Sequence, residues 1–279
     1  VKMLTHRHEF PGIYVNRNDI QRPRTEEEAE YFLIRSNVEE TKLIQIGLTI
    51  ADEKGNVPYP VCTWQFNFKF DINKEKIVNQ SHDLLKKAGV SFKDKIRGNI
   101  IFGLRRIFLT SGFVYNPSVK WVVFHGSSDF AYLLRLVRNE ELPSSIDEFY
   151  HELKKYFHNV FDLKYIIRDV PALKDVGLAK LSYEIGCNRI GPQHQAGSDS
   201  LLTYAVTLKC SNKVKYLAHI NFHQFERYFW YWTRVLKKQL KWLPTTKIVL
   251  KYIHSQDYSP YYDGRHYMNT MQQSHMNYP

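Results

Sequence analysis

The 279-residue chain carries 39 Lys and Arg against 28 Asp and Glu, a formal charge of +11, and 43% of it is hydrophobic. That apolar content, with 15% aromatic residues, excludes global disorder, and the length suits one large α/β domain with a sizeable core plus a tail. No stretch approaches the roughly 20 uninterrupted apolar residues that span a bilayer, and the N-terminus is not a charged-then-apolar leader, so a soluble, intracellular protein is expected.

In chain order, an apolar stretch with Val1, Met3 and Leu4 reads as a strand ending at Glu9. Residues 43–50 form a second strand, with a turn at residues 52–56. Cys62, Trp64, Phe66, Phe68 and Phe70 alternate with Thr63, Gln65, Asn67 and Lys69, the period of a strand with one buried face, so a hairpin follows. Helical spacing occupies residues 81–88 and 99–109. A strand near Trp121 leads into a helix carrying Asp129, and a further helix covers residues 145–157. A strand is expected at 160–166, then helices at 177–185 and 194–208. Cys62, Cys187 and Cys210 are widely spaced with no C-x-x-C pair, which predicts reduced structural cysteines.

Chemistry concentrates at three places. Gly191-Pro192-Gln193-His194-Gln195-Ala196-Gly197-Ser198-Asp199 sets a proton acceptor just ahead of a helix, or in its first turn, and a hard metal ligand about one and a half turns further on. Glu9 stands where the first strand ends, and Asp129 lies where the apolar run 121–124 gives way to helix. Carboxylates at a strand end and on two helices can converge on paired magnesium ions, which take oxygen ligands. Singly, each has a plain alternative: Glu9 as a solvated strand-end carboxylate, Asp129 as a helix cap, and His194 as a surface residue beside a cap formed by Ser198 or Asp199.

Taken together, HEFPG, FHGSSDFAYLL and GPQHQAGSDSLLT resemble the three exonuclease motifs of the Caf/Pop deadenylases, the nuclease subunits of the Ccr-Not complex in the DEDD exonuclease superfamily. The intervening LIRSNVEETKLIQIGLTIADEKGNVP, CTWQFNFKFD, SHDLLKKAGVSFK and VFDLKYIIRD resemble family sequence in the same order, so the likeness covers about residues 3–208. The resemblance implies a ribonuclease-H-like exonuclease fold, with a mixed central sheet flanked by helices. It also implies 3′-to-5′ hydrolysis of the poly(A) tail of messenger RNA, releasing 5′-AMP, in cytoplasm and nucleus. Glu9, Asp129 and Asp199 would hold two divalent ions, Mg2+ or Mn2+, while His194 acts as the base. Phe10 and Pro11 would border the substrate, although core packing is an equal reading for Phe10.

One position departs from the family pattern. The first motif should begin Asp-Thr-Glu-Phe-Pro-Gly, and here Arg7 stands in place of the first metal-binding aspartate. A permanent cation replaces an anionic ligand, and at about 4 Å and an effective dielectric near 20 each unit of charge is worth on the order of 4 kcal/mol. Metal affinity should suffer unless the arginine swings outward. A second reading is therefore a catalytically impaired relative that binds RNA or complex subunits as an adaptor.

Three further features stay open. Asp162 is a turn or cap, or else acts near the metals. Arg105 and Arg106 touch phosphates or merely solvate a helix. Residues 201–279 hold 11 Lys and Arg against 3 Asp and Glu, +8 of the total charge, with Phe222, Tyr228, Trp230 and Trp232 among the bases. That segment suits RNA, or an amphipathic helix packed on the domain, or sequence from outside the true reading frame. The expected division is a nuclease domain over 1–210, shortened at its N-terminus, and a basic aromatic extension over 211–279, partly disordered. Scaffold and second-deadenylase subunits would be partners, docking more weakly because the family's opening helix is absent from this sequence.

Overall fold

The computed structural model describes residues 2–19, 23, 25–92, 100–168, 170–173, 175–217 and 249–253. β1 (Met3–Glu9) lies inside the sheet, antiparallel to β2 (Gln45–Ala51) and parallel to β4 (Lys120–Val123). β3 (Val61–Asn67) pairs antiparallel with β2, and β5 (Asn159–Asp162) runs parallel to β4. β6 (Val249–Ile253) adds a parallel edge to β3, so the order is β5-β4-β1-β2-β3-β6. The expected hairpin is the β2–β3 pair, and the expected mixed sheet flanked by helices is present.

Alternation along β1 divides the core. Leu4, His6 and His8 point to one face, where α1 (Glu26–Glu40), α3 (Ile100–Thr110), α4 (Ser127–Arg138) and α5 (Ile146–Tyr156) cover a cluster centred on Trp121, Phe108 and Leu133. Met3, Thr5, Arg7 and Glu9 point to the other, where α6 (Leu163–Ile166), α7 (Leu178–Glu184) and α8 (Ala196–Leu217) close a second cluster. α2 (Asn79–Lys87) seals a smaller cluster of Ile44, Phe70, Leu85 and Val90.

Four readings change. α1 was not anticipated, although Thr25 with Glu28 three residues on is a helix-start signature, and the Thr25 hydroxyl does accept from the Glu28 N–H (3.1 Å). The strand expected to reach Ile166 ends at Asp162, whose carboxylate caps α6 through the Lys164 N–H (2.9 Å). Leu163 and Ile167 are both buried, and apolar residues four apart suit a helix turn as well as a strand. β3 has two buried faces rather than one, because Thr63 and Gln65 are 0% and 2% exposed beneath α8. Finally, α8 continues past residue 210 to Leu217, and β6 returns to the sheet. The aromatic basic run 222–242 and the segment expected to be disordered after Ile253 lie outside the described residues. Cys62 is a free thiol; it and Cys210 are buried, and Cys187 is half-buried.

Candidate active site

The site begins with how α8 is seated. Every residue from Gln195 to Tyr204 is buried, because the helix lies between the sheet and α7. Gly47 makes this possible: a Cβ there would stand 1.9 Å from the Ala196 carbonyl oxygen and 2.5 Å from the Gly197 nitrogen. The side-chain carbonyls of Gln45 and Gln65 accept from the first two helix N–H groups, those of Ala196 (3.2 Å) and Gly197 (2.8 Å). Those donors would otherwise be unsatisfied at a helix start. Gln195 ties both glutamines together through its Oε1 (3.0 and 2.8 Å) and reaches the Ala88 carbonyl with its Nε2. One turn on, Ser200 donates to the Thr5 carbonyl (2.9 Å) and shares a hydrogen bond with Thr49. His194, immediately ahead, takes the left-handed conformation at φ 61°.

This seating brings Glu9, His194 and Asp199 together at one end of the sheet, their ligand atoms all within 4.8 Å of one another. Asp129 is outside that group. It is 2% exposed, accepts from the His8 backbone N–H (2.7 Å), and pairs with Arg7, whose Nη1 lies 3.4 Å from Oδ2. Arg7 does not swing outward: its side chain is 21% exposed, and the same Nη1 donates to the Phe124 carbonyl. Asp199 has its own cation, Arg189, which also donates to the Ser198 hydroxyl (3.1 Å).

Burial dominates the protonation states. Desolvation, reinforced by Asp199, pushes Glu9 up to about 8, with Arg7 opposing. Desolvation also raises Asp129, against the pull of Arg7 and the His8 N–H. Arg7 stays charged, because Asp129, then Asp199, Glu9 and Asp162, outweigh its desolvation. His194 is lowered, mainly by partial burial and against the Asp199 charge, so its imidazole is neutral at physiological pH.

Two carboxylates and an imidazole this close fit one divalent cation. The residues do not fit a second, because Asp129 faces a guanidinium and position 7 supplies no ligand.

The remaining residues fall into structural places. Asp162 accepts from the His125 and Gly126 N–H groups (2.8 and 2.9 Å), which fixes the start of α4 as well as that of α6. Phe10 stacks on Tyr132 with centroids 5.4 Å apart and packs against the core, and Pro11 accepts from the Val78 N–H. Arg105 donates to the Val137 carbonyl and ties α3 to α4. A groove of about 610 Å³ opens beside His194, between α2 and the Pro192–Gln193 loop, with Lys87 and Gln80 on its wall. Sequence reading missed Arg189, Gln45, Gln65 and Gly47. Only the buried-polar pattern of β2 and β3, Gln and Thr alternating with apolar residues, hinted at a helix docked on that face.

An α/β domain with carboxylates and a histidine gathered at one end of a mixed sheet has the form of a nuclease domain. A model of the CAF1 family ribonuclease matches residues 72–206, a span that includes Asp129, His194 and Asp199 but not Arg7 or Glu9. The poly(A) ribonuclease pop2 of Schizosaccharomyces pombe is 40% identical over 200 residues, covering 70% of this chain and 58% of the relative. The probable CCR4-associated factor 1 homolog 10 of Arabidopsis thaliana is 38% identical, covering 70% of this chain and 72% of the relative. The structure of S. pombe Pop2p in its Mg2+ and Mn2+ bound form superposes with a TM-score of 0.71 at 35% identity, covering 77% of this chain and 84% of that one. The chain belongs to the CAF1 ribonuclease family.

Proposed function

We propose that this chain is a metal-dependent 3′-to-5′ exoribonuclease that shortens poly(A) tails and releases 5′-AMP, working as a nuclease subunit of the Ccr-Not complex in cytoplasm and nucleus. The observation that carries the reading is the convergence of Glu9, His194 and Asp199 from β1, the loop before α8 and α8 itself. Family membership and the similarity to poly(A) ribonuclease pop2 and a CCR4-associated factor 1 homolog support it.

Glu9 and Asp199 would hold the cation, with His194 beside it. When bound, Mg2+ or Mn2+ supplies Lewis acidity to the phosphodiester. His194, neutral at physiological pH, takes the proton of the attacking water at a ring nitrogen. The groove beside His194 receives the strand leading to the 3′ end, and the exposed Lys87 meets its phosphates. The Gln45–Gln65–Gln195 network holds His194 and Asp199 in register with Glu9. Scaffold and second-deadenylase subunits of the complex are the proposed partners.

The Arg7–Asp129 pair favours one rival, a catalytically impaired member acting as an adaptor. The test is 3′-end shortening of a labelled poly(A) oligonucleotide with Mg2+ or Mn2+, comparing the unaltered chain with Arg7→Asp and Asp199→Asn. Shortening that disappears in Asp199→Asn supports the nuclease; none until Arg7→Asp is introduced supports the adaptor.

A further inference from the structure

The ionic balance of the site is set by two arginines among its carboxylates. Glu9, Asp129 and Asp199 face Arg7 and Arg189, three carboxylates against two guanidiniums. Fully ionised, this is a net charge of −1, which one divalent cation more than balances. A second would leave a buried cluster strongly positive, a costly state in a low-dielectric site. The geometry agrees with the charge. Asp129 lies outside the group of donors within 4.8 Å, and the charge nearest it is the Arg7 guanidinium at 3.4 Å. Backbone contacts fix that arrangement from both sides, since Arg7 Nη1 donates to the Phe124 carbonyl and Asp129 accepts from the His8 N–H.

We propose that the site takes a single divalent cation at Glu9 and Asp199, beside His194, and that the Arg7 guanidinium, paired with Asp129, stands as a built-in cation in the place of a second. The inference rests on the metal-site reading of the Glu9–His194–Asp199 group. It makes the chain a one-ion member of its family whose metal stoichiometry is set by one side chain.

The test counts Mn2+ on the full chain by electron paramagnetic resonance of free Mn2+ and by titration calorimetry, with no RNA present. The unaltered chain binds one ion, and Asp199→Asn binds none. Arg7→Asp binds two, and adding Asp129→Asn to it returns the count to one. Arg7→Gln, which removes the cation without adding a ligand, still binds one, more tightly by about tenfold or more because a like charge has been removed nearby. Melting curves with and without Mn2+ check that each variant is folded, and Arg7→Gln keeps the question answerable if Arg7→Asp does not fold. Two ions on the unaltered chain overturn the inference and leave the metal site standing. A count of one for Arg7→Asp, folded and saturated, also overturns it. No ion on any variant overturns the metal-site reading beneath it.

Discussion

Gly47→Ala places one methyl group where the structure has no room for it. The added Cβ would lie 1.9 Å from the Ala196 oxygen and 2.1 Å from its carbonyl carbon, whereas ordinary contact begins at 3.4 Å. Both atoms are backbone, so no rotamer change relieves the clash, and the start of α8 must retreat by about 1.5 Å. That retreat lengthens the Gln65–Gly197 and Gln45–Ala196 hydrogen bonds, now 2.8 and 3.2 Å, beyond bonding range and leaves two buried N–H donors without partners. Each orphaned donor costs about 1–3 kcal/mol and overpacking adds about 1–3, so a loss of at least about 3 kcal/mol is expected. In a domain of this size that lowers Tm by about 10 °C. Asp199 moves with the helix while Glu9 stays on the sheet, so Mn2+ affinity falls more than a fold defect alone requires. Urea unfolding and Mn2+ titration of Gly47→Ala measure both effects. Unfolding free energy within about 0.5 kcal/mol of the parent, the range of ordinary surface changes, would refute the account of how α8 is seated.

Asp129→Asn removes the nearest counter-charge of Arg7 and should cost about 3 kcal/mol in urea unfolding, because one member of a largely buried pair is left alone. Combining it with Arg7→Gln should recover much of that loss, and a purely additive double variant would argue against the pair. Acid should destabilise the fold through His6, which is fully buried with both ring nitrogens unpartnered and is pushed down to about 3, chiefly by desolvation. The unfolded chain binds the proton near pH 6.5 and the folded chain does not, so stability falls as pH drops from about 6.5 towards 3. His6→Leu should flatten that part of the curve and raise stability at pH 5; an unchanged slope assigns the acid sensitivity elsewhere. Glu9 runs the other way. Raised to about 8 in the cation-free fold, it keeps a proton the unfolded chain loses near 4.5, so stability without metal declines as pH rises between those values. Mn2+ binding, which requires the carboxylate, should strengthen from pH 6 to 8, and calorimetry in buffers of different ionisation heat should register a released proton. Chelation with EDTA should lower Tm, by about 2.7 kcal/mol of stability if the parent was measured at 100 times its Kd.

The motifs around Glu9, Asp129, His194 and Asp199 were legible because each sits where an apolar period ends, at a strand terminus or a helix start, and ends of elements are where polar side chains converge. The departure at Arg7 was equally plain, as a residue type. Its consequence was not. An arginine can lie along a surface or turn inward, and only the placement of the Phe124 carbonyl and the Asp129 carboxylate, more than a hundred residues away, decides between them. Arg189 was invisible for the same reason: its pairing with Asp199 depends on a loop path, not on a period.

The chain's own order of apolar and polar residues was thus enough for the alternating strands and helices of an α/β domain, since periodicity is local and each strand or helix declares its own buried face, while the mixed sheet and the set of chemical groups at its end were implied by the resemblance to the Caf/Pop deadenylases. Three things were left to the tertiary structure: the second buried face of β3, the close approach of α8 over Gly47, and the division of three carboxylates into a cation-binding group and an arginine pair. All three are distances between segments remote in sequence. Desolvation and charge at such contacts depend on what packs against what, and no local pattern records that.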